Sequence, residues 1–127
     1  MLGSDVLVQM LVNYGVDTIF GVPGDTNVPL YTALDRARGK IRHVMARDER
    51  SAGYMADAYA RLSNPVGIFE APSGAGAMSS LPPLAELHSS SPPLFSVTLA
   101  TPSAGVGRGR LQRLVCTTPV DTDNRAS

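Results

Sequence analysis

Three short segments carry residue types suited to ligand chemistry: Gly21-Val22-Pro23-Gly24-Asp25, Arg47-Asp48-Glu49 and Ser73-Gly74-Ala75-Gly76. Glycines let a backbone approach a ligand closely, and a helix that starts just after such a turn offers free N–H donors. Glu49 is the sharpest single residue, because a positioned carboxyl group can take up and return a proton. Standing alone, it reads as a first-turn carboxylate that offsets the positive end of a helix. Asp48 reads as an exposed charge of the same kind, His43 as a core or sheet-face histidine, and His88 as a surface residue. Neither glycine loop has the dinucleotide spacing, and no Gly-Lys-Ser or Gly-Lys-Thr occurs, so a nucleotide-phosphate site is disfavoured. Taken alone, the loops are tight turns of an α/β sheet.

Such turns need strands before them and helices after them, and the pattern supplies both. Ser4 suits an N-cap, Leu7, Met10, Leu11 and Tyr14 follow at helical spacing, and Gly15 is a natural stop. Thr18 to Phe20 read as a short buried strand. Asn27 can cap a second helix with Pro29 in its first turn, Leu30, Ala33, Leu34 and Ala37 on one face, and Gly39 at its end. Ile41 to Ala46 form a second strand. Asp48 and Glu49 open a third helix with Ala52, Met55, Ala56 and Tyr59 inward, broken at Asn64-Pro65. Val66 to Glu70 form a third strand. A fourth helix runs toward His88, with Pro82 and Pro83 fitting a first turn or a kink. Ser91-Pro92-Pro93 is a turn, and Leu94 to Leu99 form a fourth strand. Strands alternating with helices imply right-handed crossovers and an α/β, three-layer fold, a mainly parallel sheet with helices on both faces. In open parallel sheets ligands gather at the carboxyl ends of the strands, where all three segments fall. After Leu99, Gly105, Gly107 and Gly109 mark a loop, Leu111 to Val115 read as a short helix, and Asp121 to Ser127 are polar.

The 127 residues, 43% hydrophobic and 17% charged, suit one compact domain. The 11 basic and 11 acidic residues balance, which disfavours a nucleic-acid or membrane-surface partner. Arg108, Arg110 and Arg113 read as a solvated loop. A single cysteine, Cys116, precludes an intramolecular disulfide and disfavours a cysteine metal site, so a reducing, cytoplasmic setting fits best. No apolar run has transmembrane length, and the N-terminus enters an amphipathic pattern directly, so no leader is expected.

Phe20-Gly21-Val22-Pro23-Gly24 followed by Pro29-Leu30-Tyr31, then His43-Val44 with Arg47-Asp48-Glu49-Arg50-Ser51-Ala52, Met55-Ala56-Asp57-Ala58-Tyr59-Ala60-Arg61 and Ser73-Gly74-Ala75-Gly76-Ala77, resemble the N-terminal, pyrimidine-binding domain of thiamine-diphosphate enzymes of the acetolactate synthase type. Gly107-Arg108-Gly109 and Leu111 extend the likeness, which covers roughly residues 3–115. The resemblance implies a pyrimidine domain over 1–115 with a polar tail over 116–127. It gives Glu49 a hydrogen bond to a ring nitrogen and a proton exchange that readies the thiazolium carbon to lose its own proton. It places Gly74, Ala75 and Gly76 beside the cofactor ring and turns Pro23 and Gly24 toward the substrate. It implies decarboxylation and carboligation of small 2-oxo acids, transferase or lyase chemistry in which the cofactor absorbs the electrons.

The sequence also departs from that family. Ala75 stands where a proline is common, Met78-Ser79-Ser80 where an asparagine is, and Leu99-Ala100-Thr101 where a glutamine or histidine is. The Gly-Asp-Gly motif and asparagine pair that hold Mg²⁺ and diphosphate have no counterpart, so no metal ligand is assigned here. Thiamine diphosphate with Mg²⁺ would then need a missing domain or a diphosphate-binding partner chain, in a homodimer or a mixed complex. A truncated or split enzyme, inactive alone, is the first expectation. The alternatives are a non-catalytic degenerate domain serving assembly or regulation, and an unrelated nucleotide-binding module. The small inner residues of the third helix suit either a subunit contact or packing within the domain.

Overall fold

The computed structural model describes residues 2–63, 66–90 and 92–100. Helix α1 spans Gly3–Asn13. It begins before Ser4: Leu2 takes the capping position and the Asp5 carboxylate reaches back to accept the Leu2 N–H at 3.0 Å, while the Ser4 hydroxyl, expected to cap, finds no partner among the described residues. Gly15, at φ +78°, lets the chain turn back, and Val16 N–H closes onto the Leu11 carbonyl at 2.9 Å.

Strand β1 is Thr18–Gly21. A single 3-10 turn, Asp25–Asn27, leads into α2, Val28–Arg36, with Pro29 in its first turn. Strand β2 (Arg42–Met45), α3 (Glu49–Ser63) and β3 (Gly67–Ala71) follow. The expected fourth helix is two: α4 (Ala75–Ser79) and α5 (Leu81–Ser90). The chain restarts at Leu81 because Pro82 and Pro83, lacking N–H groups, suit a first turn and not a helix interior. Strand β4 is Leu94–Thr98. The Asn64-Pro65 break, Ser91 of the expected turn, and all expectations from Thr101 onward, including the 111–115 helix, the three arginines, Cys116 and the 116–127 tail, lie outside the described residues.

The four strands pair in parallel in the order β2-β1-β3-β4. Central β1 and β3 are buried throughout, whereas edge strands β2 and β4 are partly exposed. Side chains alternate across a strand, so Ile19 and Ile68 face one layer and Phe20 and Phe69 the other. Ile19 and Ile68 pack with Val8 and Leu11 of α1 and with Leu30, Ala33 and Leu34 of α2. Phe20 and Phe69 pack with Ala52 and Ala56 of α3 and with Leu84 of α5. This is the three-layer α/β arrangement expected of the alternating pattern.

The small residues of α3 serve packing within the domain. A Cβ at Gly67 would lie 2.9 Å from the Ala56 carbonyl carbon, and one at Gly53 would lie 2.6 Å from Pro83 Cγ. Strand and helix thus approach with no room for a side chain between them. Among the described residues no helix is long and apolar enough to cross a membrane.

Candidate functional site

The three chemistry-bearing segments all lie at the carboxyl ends of parallel strands and touch one another. Asp48 starts α3: its Oδ1 accepts the Ser51 N–H and its Oδ2 the Ser51 hydroxyl, both at 2.8 Å. The Ser51 N–H holds the Asp48 carboxyl below its usual value of 3.8. Asp48 is thus a structural cap as well as a dipole-matching charge. Because Asp48 takes the capping position, half-buried Glu49 is free to reach across the strand ends.

It reaches Gly76. A Cβ built at Gly76 would sit 2.7 Å from Glu49 Oε1 and 2.6 Å from Pro72 Cγ. A Cβ at Gly24 would likewise sit 2.7 Å from Pro72 Cβ. One proline ring is therefore closely approached by two glycines from different strand-end segments, and the Glu49 carboxyl lies over one of them. Thr26 Oγ1 accepts the Ser73 N–H at 3.0 Å, which braces the loops together. Gly74 adopts φ +75° at the end of its turn, a conformation side-chain-bearing residues rarely take. Ala75 is exposed on the first turn of α4 and Gly76 is buried behind it. The Ser73 hydroxyl is buried without a partner among the described residues.

Pro23 is exposed, and Pro23 and Gly24 line a cleft of about 440 Å³ with Val28, Tyr31, Thr32 and Asp35. Glu49 is not among its lining residues. Ser79 and Ser80 turn their hydroxyls back onto the helix, to the Ala75 carbonyl at 3.0 Å and the Gly76 carbonyl at 3.1 Å. His88 is exposed, as expected of a surface residue.

Four residues of this region escape the sequence reading as a group. Glu70, fully buried in β3, accepts hydrogen bonds from Tyr31 Oη and from Asn27 Nδ2, each at 2.5 Å. His43 Nε2 lies 2.9 Å from Tyr31 Oη and 3.6 Å from Glu70 Oε1, so the histidine is indeed on the sheet face but within a polar cluster. Burial, followed by the hydrogen bond to Glu70, pushes the Tyr31 phenol well above its usual value of 10.0. Asn27 precedes α2 but does not cap it. Its amide turns back, accepting the Gly24 N–H at 2.6 Å and donating to the Val22 carbonyl at 3.1 Å. The available signal was a lone acid in the apolar run Gly67 to Ala71, since carboxylates are almost never fully buried unless paired.

The family model for the N-terminal TPP-binding domain of thiamine pyrophosphate enzymes matches residues 1–120. A probable 2-ketoarginine decarboxylase of Pseudomonas aeruginosa is 38% identical over 109 residues, covering 86% of this chain and 19% of that protein. An acetolactate synthase of Arthrospira platensis is 36% identical over 114 residues, covering 88% and 20%. An acetolactate synthase large subunit of Mycobacterium tuberculosis is 38% identical over 109 residues, covering 86% and 17%. The chain thus spans about a fifth of the length of the curated relatives it matches.

Proposed function

Because this chain belongs to the thiamine pyrophosphate enzyme family, as its N-terminal TPP-binding domain, we propose that it forms the pyrimidine side of a thiamine diphosphate site in an acetolactate synthase-like enzyme acting on 2-oxo acids. The observation that carries this reading is the Glu49 carboxyl lying over Gly76, with Gly76 and Gly24 closed on the same proline.

The residues suit the ring. A flat heterocycle needs a wall without large side chains and a carboxyl group at its edge; the exposed Ala75 and the half-buried Glu49 offer both, with Gly76 packed behind them against Pro72. The unpartnered Ser73 hydroxyl is a further polar group there. For the diphosphate, the sequence carries neither a Gly-Asp-Gly motif nor an asparagine pair. Mg²⁺ and the diphosphate, the charged handle of the cofactor, would bind through another domain or a partner chain, as in a homodimer or mixed complex.

When bound, the cofactor supplies an electron sink for decarboxylation of the substrate. Glu49 would be the group that exchanges a proton with a ring nitrogen of the bound cofactor, which an amide cannot do. Gly74, Ala75 and Gly76 keep large side chains away from the ring. Pro23 and Gly24 set the substrate-facing wall. A second reading, a degenerate domain kept for assembly, draws on Ser79 and Ser80, whose hydroxyls are spent on their own helix.

Calorimetric titration with thiamine diphosphate and Mg²⁺ tests the proposal. Saturable binding is expected when a diphosphate-binding domain of a relative is added, and none to the chain alone. Turnover of a 2-oxo acid by the single chain would refute the need for a partner. Binding of a dinucleotide in place of thiamine diphosphate would refute the site.

A further inference from the structure

A fully buried acid needs a reason. Glu70 and Asn27 are both wholly inaccessible, and the neighbours of Glu70 in β3, Phe69 and Ala71, are apolar. An apolar residue would fill position 70 without the desolvation cost of a carboxylate. The carboxylate does something an apolar residue cannot: it decides which way its neighbours point.

The amide of Asn27 has one accepting and one donating end. Its Nδ2 donates to Glu70 Oε2 at 2.5 Å and to the Val22 carbonyl at 3.1 Å, which leaves Oδ1 to accept the Gly24 N–H at 2.6 Å. Were the amide reversed, Oδ1 would face a carboxylate and a carbonyl, and Nδ2 would face an N–H. The second carboxylate oxygen is occupied by the Tyr31 hydroxyl at 2.5 Å, so the acid cannot swing away from Asn27 without abandoning that bond. Gly21 completes the arrangement, since a Cβ there would lie 2.5 Å from both Cγ and Cδ of Glu70. A link therefore runs from β3 through Glu70 and Asn27 to the backbone of Val22 and Gly24, the turn seated on Pro72 beside the Glu49 carboxyl.

We propose that Glu70 is a positioning residue: its carboxylate locks the Asn27 amide in the orientation that holds the Gly24 N–H, and so fixes the Val22–Gly24 turn. The purpose of that turn, to face substrate, rests on the function proposed above; the lock itself does not.

The test is amide hydrogen exchange on the ¹⁵N-labelled chain, with Gly24 N–H and the Asn27 side-chain NH₂ as reporters. Glu70→Leu removes the acceptor, and one lost hydrogen bond corresponds to a loss of Gly24 protection of about tenfold. Ile19 and Ile68 amides serve as the fold control and stay protected. Glu70→Gln can still present an oxygen to Asn27 and an amide to Tyr31, so it rescues Gly24 protection to within about threefold of the parent. Should Glu70→Leu fail to fold, Glu70→Asp decides, because it keeps the charge but falls a methylene short of Asn27; the same tenfold loss is expected. Unchanged Gly24 protection in Glu70→Leu or Glu70→Asp overturns the proposal, as does equal loss in Glu70→Gln. The measurement needs no cofactor, so failure of the thiamine reading leaves its outcome untouched.

Discussion

Gly21→Ala isolates the packing that makes room for Glu70. The new methyl carbon would lie 2.5 Å from Cγ and Cδ of Glu70 and closer still to Oε1. Contacts below about 3 Å cannot be tolerated, so something must shift, and overpacking of this kind costs ~1–3 kcal/mol. The carboxylate can move only by loosening the bonds from Tyr31 and Asn27, and hydrogen bonds to charged groups contribute ~1.5–3 kcal/mol each. Alanine recovers ~0.4–1 kcal/mol by restricting the unfolded chain. With both bonds given up, the net loss is at least ~3 kcal/mol, a large part of the ~5–15 kcal/mol that such domains possess. Urea denaturation followed by circular dichroism measures it. Gly3→Ala, with nothing within 4 Å of its Cβ, serves as the control and is neutral or slightly stabilising. In a double-mutant cycle, Gly21→Ala costs less than ~1 kcal/mol once Glu70→Ser has removed the obstacle, a coupling of at least ~2 kcal/mol. If Gly21→Ala costs under ~1 kcal/mol in the parent, or the two changes add within ~0.5 kcal/mol, the account of Gly21 is wrong.

Gly76→Ala pushes a methyl against Glu49 Oε1 and Pro72; it should lower the thermal midpoint of the chain by roughly 4–12 °C and, in a reconstituted complex held well below that midpoint, weaken thiamine diphosphate binding at least tenfold. Acid sensitivity follows from three carboxyls held below 3.8: Asp48 by the Ser51 N–H, Asp5 by the Leu2 N–H, and Asp17 by the Tyr59 hydroxyl. A depressed carboxyl contributes stability that is complete above its unfolded value and lost as pH falls through the folded one. Stability measured by urea midpoint should therefore fall as pH drops below about 4, and less steeply in Asp48→Ala. At the other extreme, Tyr31 is raised above 10.0, so the folded chain retains its proton there. The difference in 295 nm absorbance between parent and Tyr31→Phe should stay flat through pH 10–11 and change only when the chain unfolds; a step in that range before unfolding contradicts the buried hydrogen bond.

Much of the fold was legible in the sequence because its signals are local. Gly15 stops α1, Pro29 starts α2, and the runs around Ile19, Val44, Ile68 and Phe95 each give a strand within one or two residues of its expected ends. The place of Glu49 in the first turn of α3 was legible too, since a strand and a helix start are both written within ten residues of it, whereas the capping bonds of Asp48 to Ser51 were not. What the sequence hid depends on distant partners. Asn27 reads as a cap by its place before α2, yet Glu70, 43 residues away, claims its amide. Gly24 and Gly76 read as parts of separate tight turns, yet both are closed on Pro72, which no local rule singles out. Ser4 reads as a cap, yet the helix already starts at Gly3 and Asp5, which closes onto the Leu2 N–H, also pairs with Arg36 on α2 at 2.6 Å, a contact that only the folded chain reveals.

The central claim is that Glu49 exchanges a proton with the cofactor ring. Hydrogen–deuterium exchange at the thiazolium C2 position of thiamine diphosphate, followed by proton NMR in a complex of this chain with a diphosphate-binding partner, reads that event without any substrate. Replacing Glu49 by Gln is expected to slow the exchange by about 10²–10⁴-fold, the usual contribution of a positioned acid–base group. Equal exchange rates with Glu and Gln at position 49, the cofactor being bound in both cases, would contradict the account.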